Sequence, residues 1–328
     1  MRSSSPRFLS LGVILLGAAT SALAASGPNL FTIADPRGDD HGNGELVYPS
    51  QNDDFQRGEL DLVALSARAG DGGTTFTATF AKSVRKPVRR AIDEAGTQLS
   101  DVAKLGFYNL NLDLYIDTDR KPGSGGVQTL PGRRAVIDPR FAWERAICLT
   151  PRPYDARDVL KRILLASLKT ELREKPGTMD TPTADKLKLQ IPADVEEHLF
   201  FPTRVRVLGR DIEFFVPDSF LGQPARADWA YTVVVSGCDF RLQFDLSDAM
   251  SVFRAADSGL LILPVGSGRP ANYFGGGREN DDLQPPLIDI VVPAGTTQEK
   301  VLADYDALMA RPVVLPAVVP AKSAGSTN

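Results

Sequence analysis

The sequence predicts an all-β protein: an antiparallel β-sandwich carrying two accessory α-helices. Three observations point there. Apolar residues recur at every second position through much of the chain, clusters of Gly, Pro and Asp separate these runs, and only two stretches carry the spacing of an amphipathic helix. A regular strand–helix–strand alternation, which would indicate a parallel α/β sheet, does not occur.

The chain opens on a segment that reads as lying outside the fold. Arg2 and Arg7 flank the start of the short apolar run "FLSLGVILLGAA", and "SALA" ends at Ala24. Positive charge, a short apolar core and a small-x-small site form a secretory signal, so residues 1–24 are expected to be removed on export, to the periplasm or beyond. The run is short for a bilayer span, and no Cys follows it to carry a lipid.

The stretch "FTIADPRGDDHGNGELVYP" comes next. Asp35, Asp39 and Asp40 repel one another unless water or a cation separates them, and Asp61 follows at the start of the next strand. Calcium takes six to eight oxygen ligands. Gly38, Gly42 and Gly44 let backbone carbonyls turn inward. The same composition suits a solvated loop of Asx turns, and the residues alone leave both readings open.

The strands follow. In "TTFTATFA", Phe76, Ala78 and Phe80 face one way and Thr75, Thr77 and Thr79 the other. In "YNLNLDLYID", Tyr108, Leu110, Leu112, Leu114 and Ile116 alternate with Asn109, Asn111, Asp113 and Tyr115. In "DFRLQFDL", Phe240, Leu242, Phe244 and Leu246 alternate with polar residues. Each pattern predicts one buried and one wetter face. "RVRVLG", "DIEFFVP", "YTVVVSG", "LLILPV" and "LIDIVVP" add shorter strands. "DTDRKPGSG", from Asp117, starts like an EF-hand loop but lacks the third oxygen ligand and the closing Glu. A polar turn is the expectation there, with a cation shared with Asp282 or Asp289 left open.

The first helix is "DARDVLKRILLASLKTELREKPG", with Asp155 at its start and Pro176-Gly177 as the stop. The second is "TTQEKVLADYDALMARP", where Thr296 and Glu299 form a capping box and Val301, Leu302, Tyr305, Leu308 and Met309 a stripe. Residues 176–203, rich in Pro and Asp, read as a long loop. Residues 313–328 read as a flexible tail.

Net charge is −4 over 328 residues with both signs interspersed, which is not the footprint of a nucleic-acid binder. Cys148 and Cys238 each close a predicted strand. Export permits them to pair, and two buried free thiols are the alternative. Catalytic motifs are missing: no Gly-x-Ser-x-Gly or His-Glu-x-x-His occurs, and "GSGRP" and "GGGREN" lack the Lys-Ser/Thr of a phosphate loop. A glycosidase pair is defined by carboxylate separation in space, which a sequence does not contain. The aromatics offer a sugar platform: Trp143, Trp229, Tyr231, Tyr273 and Phe274. Trp143 and Trp229 open strands, where a ring can equally plug a core. Tyr273 and Phe274 lie beside a Gly run and are freer.

Several of these stretches, taken in order, resemble one family. "ADPRGDDHGNGELVYP" with "FQRGELDLVAL", then "LDLYIDTD", "IEFFVPDSFLGQPARADWAYTVVVSG", "FGGG", "LIDIVVP" and "TTQEKVLADYDAL" resemble the glucodextranase C-terminal domain. The resemblance spans residues 29–312. It implies an immunoglobulin-like or jelly-roll sandwich that is DOMON-like and related to family 9 carbohydrate-binding modules. It implies a non-catalytic role in binding a polysaccharide or envelope glycan, and structural calcium, which favours metal over water at Asp35, Asp39, Asp40 and Asp61. The chain departs from the pattern in having no catalytic domain beside the module and a longer helix and loop after residue 155. DOMON-like sandwiches also hold haem. That alternative would draw axial ligands from His41, His198, Met179, Met250 and Met309, without a Cys-x-x-Cys-His attachment.

Overall fold

A computed structural model describes residues 27–175, 177, 180–241, 259–278 and 283–321. The predicted signal, residues 1–24, lies outside them, as do residues 242–246 of the run "DFRLQFDL".

Two five-stranded sheets face each other. In the first, β1 (Asn29–Ala34), β2 (Leu62–Gly70), β3 (Gly73–Phe80), β9 (Asp211–Pro217) and β8 (Val205–Leu208) lie in that order. In the second the order is β13 (Leu287–Ile290), β10 (Ala230–Gly237), β4 (Leu110–Asp117), β6 (Arg145–Leu149) and β7 (Leu199–Phe200). Pairing is antiparallel throughout except between β6 and β7. Two small parallel pairs complete it: β5 (Ala135–Ile137) with β14 (Val313–Leu315), and β11 (Val265–Ser267) with β12 (Phe274–Gly277). Period-two alternation explains the first sheet. Ile212, Phe214 and Val216 of β9 point inward beside Phe76, Ala78 and Phe80 of β3, and Phe76 stacks on Phe214 at 5.4 Å.

The second sheet differs from the expectation of one wet face. Every residue of β4 and β10 is buried. A second apolar cluster lies on its outer side, where Val159, Leu160 and Ile163 of helix α2 (Pro153–Glu174) pack with Tyr115, Cys148 and Val234. Two polar residues of β4 are tied internally: Asn111 Nδ2 donates to the Leu261 carbonyl at 2.9 Å, and Asp113 is gripped by Arg133. This face is polar in sequence and buried in fact, because its cover comes from distant segments.

α2 starts at Pro153, whose missing N–H costs nothing in a first helical turn, and Asp155 sits inside that turn rather than capping it. The predicted loop at 176–203 is mostly a helix, α3 (Thr181–His198). Asp180 caps it by accepting from the Thr183 N–H at 2.7 Å, and Lys161 of α2 reaches Glu196 at 2.7 Å. Pro182 is tolerated in the first turn, and Pro192 sits within the helix. Asp180→Ala should therefore lower the urea midpoint of unfolding. An unchanged midpoint would mean the cap is idle.

Short helices α1 (Leu99–Val102) and α4 (Asp218–Leu221) close turns, and α5 (Gln298–Leu302) is much shorter than predicted. Thr297 caps α5, and the stripe stops at Tyr305. Leu308 and Met309 are 98% and 76% exposed, because the Asp306 carboxylate accepts from both their N–H groups and turns the chain. The start of the expected tail is also ordered: Val313–Leu315 forms β14, and Val318 pairs with Tyr231. "LLILPV" carries one bridge, Cys238 to Ile262, before β11. Cys148 and Cys238 are free and buried. Cys148 lies in β6 and Cys238 just past the end of β10, and β4 lies between those two strands, a separation of about two strand spacings, roughly 10 Å, where a disulfide spans at most about 7 Å between Cα atoms. None of the described helices is long and apolar enough to cross a membrane.

Candidate metal centre and ligand cleft

β1 and β13 are edge strands of the two sheets, and an acidic cluster joins them. Asp35 follows β1, its N–H donating to the Val63 carbonyl at 3.1 Å. Asp289, in β13, is fully buried, and its Oδ2 accepts from the Leu62 N–H at 2.6 Å, crossing from one sheet to the other. Asp39 comes from the loop between. Its carbonyl accepts from the His41 N–H at 2.6 Å and from the Gln298 side chain. Asp35, Asp39 and Asp289 each bring a carboxylate oxygen within 4.8 Å of the others.

These oxygens are not satisfied by the protein. Both oxygens of Asp35 and the Oδ1 atoms of Asp39, Asp61 and Asp289 are buried with no hydrogen-bond partner among the described residues. Burial and mutual repulsion push Asp35 up to about 8, burial above all pushes Asp39 up to about 6, and burial raises Asp61 and Asp289 as well. A buried carboxylate needs a hydrogen bond, a proton or a cation. An all-oxygen set suits a hard divalent ion.

The loop is shaped to present this set. Gly38 takes φ +90° and donates to Asp61 Oδ2 at 2.7 Å. Gly42 takes φ +59° and donates to the Ile288 carbonyl, and a Cβ there would stand 3.0 Å from the Leu287 carbonyl oxygen. Gln298 knits the loop to β13: it donates to the Asp39 and Gly42 carbonyls and accepts from the Ile290 N–H at 2.7 Å. His41 and Glu299 pair beside it at 2.7 Å.

Of the four aspartates singled out in sequence, Asp35 and Asp39 face each other and Asp61 stands beside them. Asp40 turns away, accepting from the Tyr48 hydroxyl at 2.6 Å and the Gly58 N–H at 2.5 Å. Asp289 was linked in sequence only to the loop at Asp117. Its signal is a lone charge inside the apolar run "LIDIVVP".

The aromatic candidates divide. Trp229, Tyr231 and Phe274 are core residues, so they present no ring to a sugar. Tyr231 lies against Phe31 at 4.8 Å and donates to the Arg226 carbonyl, while Phe274 packs edge-on against Tyr48 and Phe55. Trp143 is half-buried and donates to the Gln128 carbonyl at 3.0 Å. Tyr273 is 43% exposed.

Next to Tyr273 in the chain, Asn272 helps line an open cleft of about 420 Å³ with Asn52, Asp54, Arg85, Arg90 and Tyr108. Asp54 accepts from the Tyr108 hydroxyl at 2.8 Å and pairs with Arg90 and Arg241; Arg85 pairs with Glu59 at 2.7 Å. Asn52 donates to the Asn272 carbonyl at 2.8 Å, so the Tyr273 loop is bound to the cleft wall. Through Asp40, Gly58 and Tyr48 the same wall is bound to the acidic loop. Fixed amides, carboxylates and guanidinium groups around a half-open depression can hydrogen-bond a hydroxyl-rich ligand.

The residues named for haem lie apart in role. His41 holds Glu299, His198 Nδ1 either accepts from Arg145 or donates to the Glu144 carbonyl according to its tautomer, and Met309 sits on an exposed turn; Met179 and Met250 lie outside the described residues.

No curated protein matches the chain. A family model described as the C-terminal binding module, SLH-like, of glucodextranase matches residues 30–317, and the chain belongs to that family.

Proposed function

We propose that this protein is an exported, non-catalytic module that binds polysaccharide or envelope glycan, with calcium clamping the sandwich edge beside its ligand cleft. The observation that carries the calcium reading is Asp289: a fully buried carboxylate whose Oδ1 has no hydrogen-bond partner among the described residues and which shares its surroundings with Asp35 and Asp39. These three residues, with Asp61 close by, would hold the ion, and calcium would supply the positive charge that their oxygens lack. Family membership supports the binding role, and the segment at residues 1–24 supports export. The cleft supports a sugar ligand, because it combines the Tyr108 ring with polar groups already held in place, and the half-exposed Tyr273 follows the lining residue Asn272 in the chain.

Affinity electrophoresis through gels containing single polysaccharides tests this with and without calcium. At least one polysaccharide should retard the protein, and Tyr273→Ala should weaken that binding roughly tenfold, equivalent to about 1.4 kcal/mol. Chelation should weaken it too, through the Asp40–Gly58 link. Unretarded migration across a broad set of glycans in calcium would remove the carbohydrate reading.

A further inference from the structure

The loop after β4 lacks, in sequence, the third acidic ligand of a calcium loop. The fold supplies it from another strand. Glu144 stands just before β6 and its N–H donates to the Ile116 carbonyl at 3.1 Å, which brings its side chain over the loop. Asp117, Asp119 and Glu144 each place an oxygen within 4.8 Å of the others.

Asp117 is the residue that points to a ligand. Its side chain is 1% exposed; Oδ1 accepts from the Arg120 N–H at 2.6 Å, but Oδ2 accepts no hydrogen bond among the described residues. The cations facing the cluster both stand off, Arg120 Nε at 3.6 Å from Asp117 and Lys121 Nζ at 3.6 Å from Asp119. Glu144 accepts from Thr118 and Asp119 from the Lys121 N–H, and the single Ser124 hydroxyl proton lies within reach of both carboxylates and of the Lys121 carbonyl. These bonds hold the two carboxylates in place and leave Asp117 Oδ2 without a hydrogen bond among the described residues, with Arg120 Nε at 3.6 Å.

We infer a second divalent-cation site here, taking a hard ion of the calcium type through Asp117 Oδ2, Asp119 and Glu144, with water filling the remaining positions. It is distinct from the centre at Asp289. On β10, Ala230 lies opposite Asp117 and Val235 opposite Asp289, so the two sites are five strand positions apart, roughly 17 Å. The ion would pin the loop from Asp117 to Gly126 against the start of β6.

Terbium luminescence tests the inference on the full chain. Both tryptophans lie at this end of the sheet: Trp143 adjoins Glu144 and packs on Gly126, and Trp229 precedes Ala230. Indole excitation of chelator-stripped protein with terbium should give sensitised emission that calcium displaces. Glu144→Gln and Asp117→Asn should each weaken terbium binding at least tenfold. Asp185→Asn, at an exposed position of α3, should leave it unchanged. Glu144 is half-buried and Gln still accepts from Thr118, so that variant decides the matter even where Asp117→Asn does not fold. The inference is overturned by an absence of sensitised emission, by emission that Glu144→Gln leaves unaltered, or by emission that only Asp289→Asn abolishes. Emission abolished only by Asp289→Asn would place the ion at the Asp289 centre instead.

Discussion

Arg133→Ala will destabilise the fold by about 3–5 kcal/mol. Arg133 is fully buried, and its guanidinium meets both oxygens of Asp113, at 2.7 and 3.2 Å, and the carbonyls of Leu260 and Pro131. Truncation would leave Asp113, itself 1% exposed, as an uncompensated charge between the sheet and its outer layer. Most of the loss comes from that stranded carboxylate, so a double replacement, Arg133→Met with Asp113→Leu, should recover much of it. Arg133→Lys keeps the charge but not the two-pronged fit, and should fall between. Urea unfolding measures all three. A single-variant loss below about 1 kcal/mol, or a double variant no more stable than Arg133→Ala, would show that the pair does not hold the layers.

Removing calcium should lower the melting temperature by roughly 5 °C or more, since an ion at about a hundred times its dissociation constant adds about 2.7 kcal/mol. The pH dependence provides a sharper signature. In the chelated protein, Asp35 at about 8 and Asp39 at about 6 bind protons more tightly than in the unfolded chain, where both sit near 3.8. Groups raised on folding contribute stability that is complete below the unfolded value and is lost as pH rises through the folded value. Chelated protein should therefore lose stability steadily from about pH 4 to pH 8. The proposed calcium would bind the deprotonated set, so its affinity should grow over that same range and flatten the loss. Thermal melts across pH with calcium and with chelator compare the two. Parallel curves would mean that no ion is linked to these carboxylates.

Much of the sandwich was legible because most of its strands carry their own signal. β9 alternates throughout and β3 from Phe76 onward, since one face of each meets Phe31, Phe76 and their neighbours while the other meets mixed surroundings. β4 alternates equally well, yet its polar side is buried, because α2 and the segments around Arg133 and Leu261 cover it from afar. α3 was hidden by Pro182 and Pro192 and by a nearly all-exposed surface that leaves only Ala184 and Val195 buried. The long second helix failed for the opposite reason: a plausible stripe was cut by Asp306, whose carboxylate satisfies a turn.

The candidate centre was half legible. Asp35, Asp39 and their glycines form one local motif, readable as such. Asp289 arrives from the far end of the chain through sheet packing, and Glu144 reaches the Asp117 loop by strand pairing. Neither relation exists in a linear pattern. The aromatic choices were ambiguous for a simple reason: a ring that stacks on sugar and a ring that fills a core have the same sequence signature, and burial assigned Trp229, Tyr231 and Phe274 to the core.

The most direct measurement is an anomalous-difference map from crystals grown in calcium. It should show a peak bounded by Asp35, Asp39 and Asp289, within about 2.3–2.6 Å of their oxygens. A featureless map there, with the three side chains turned from one another, would contradict the proposed clamp.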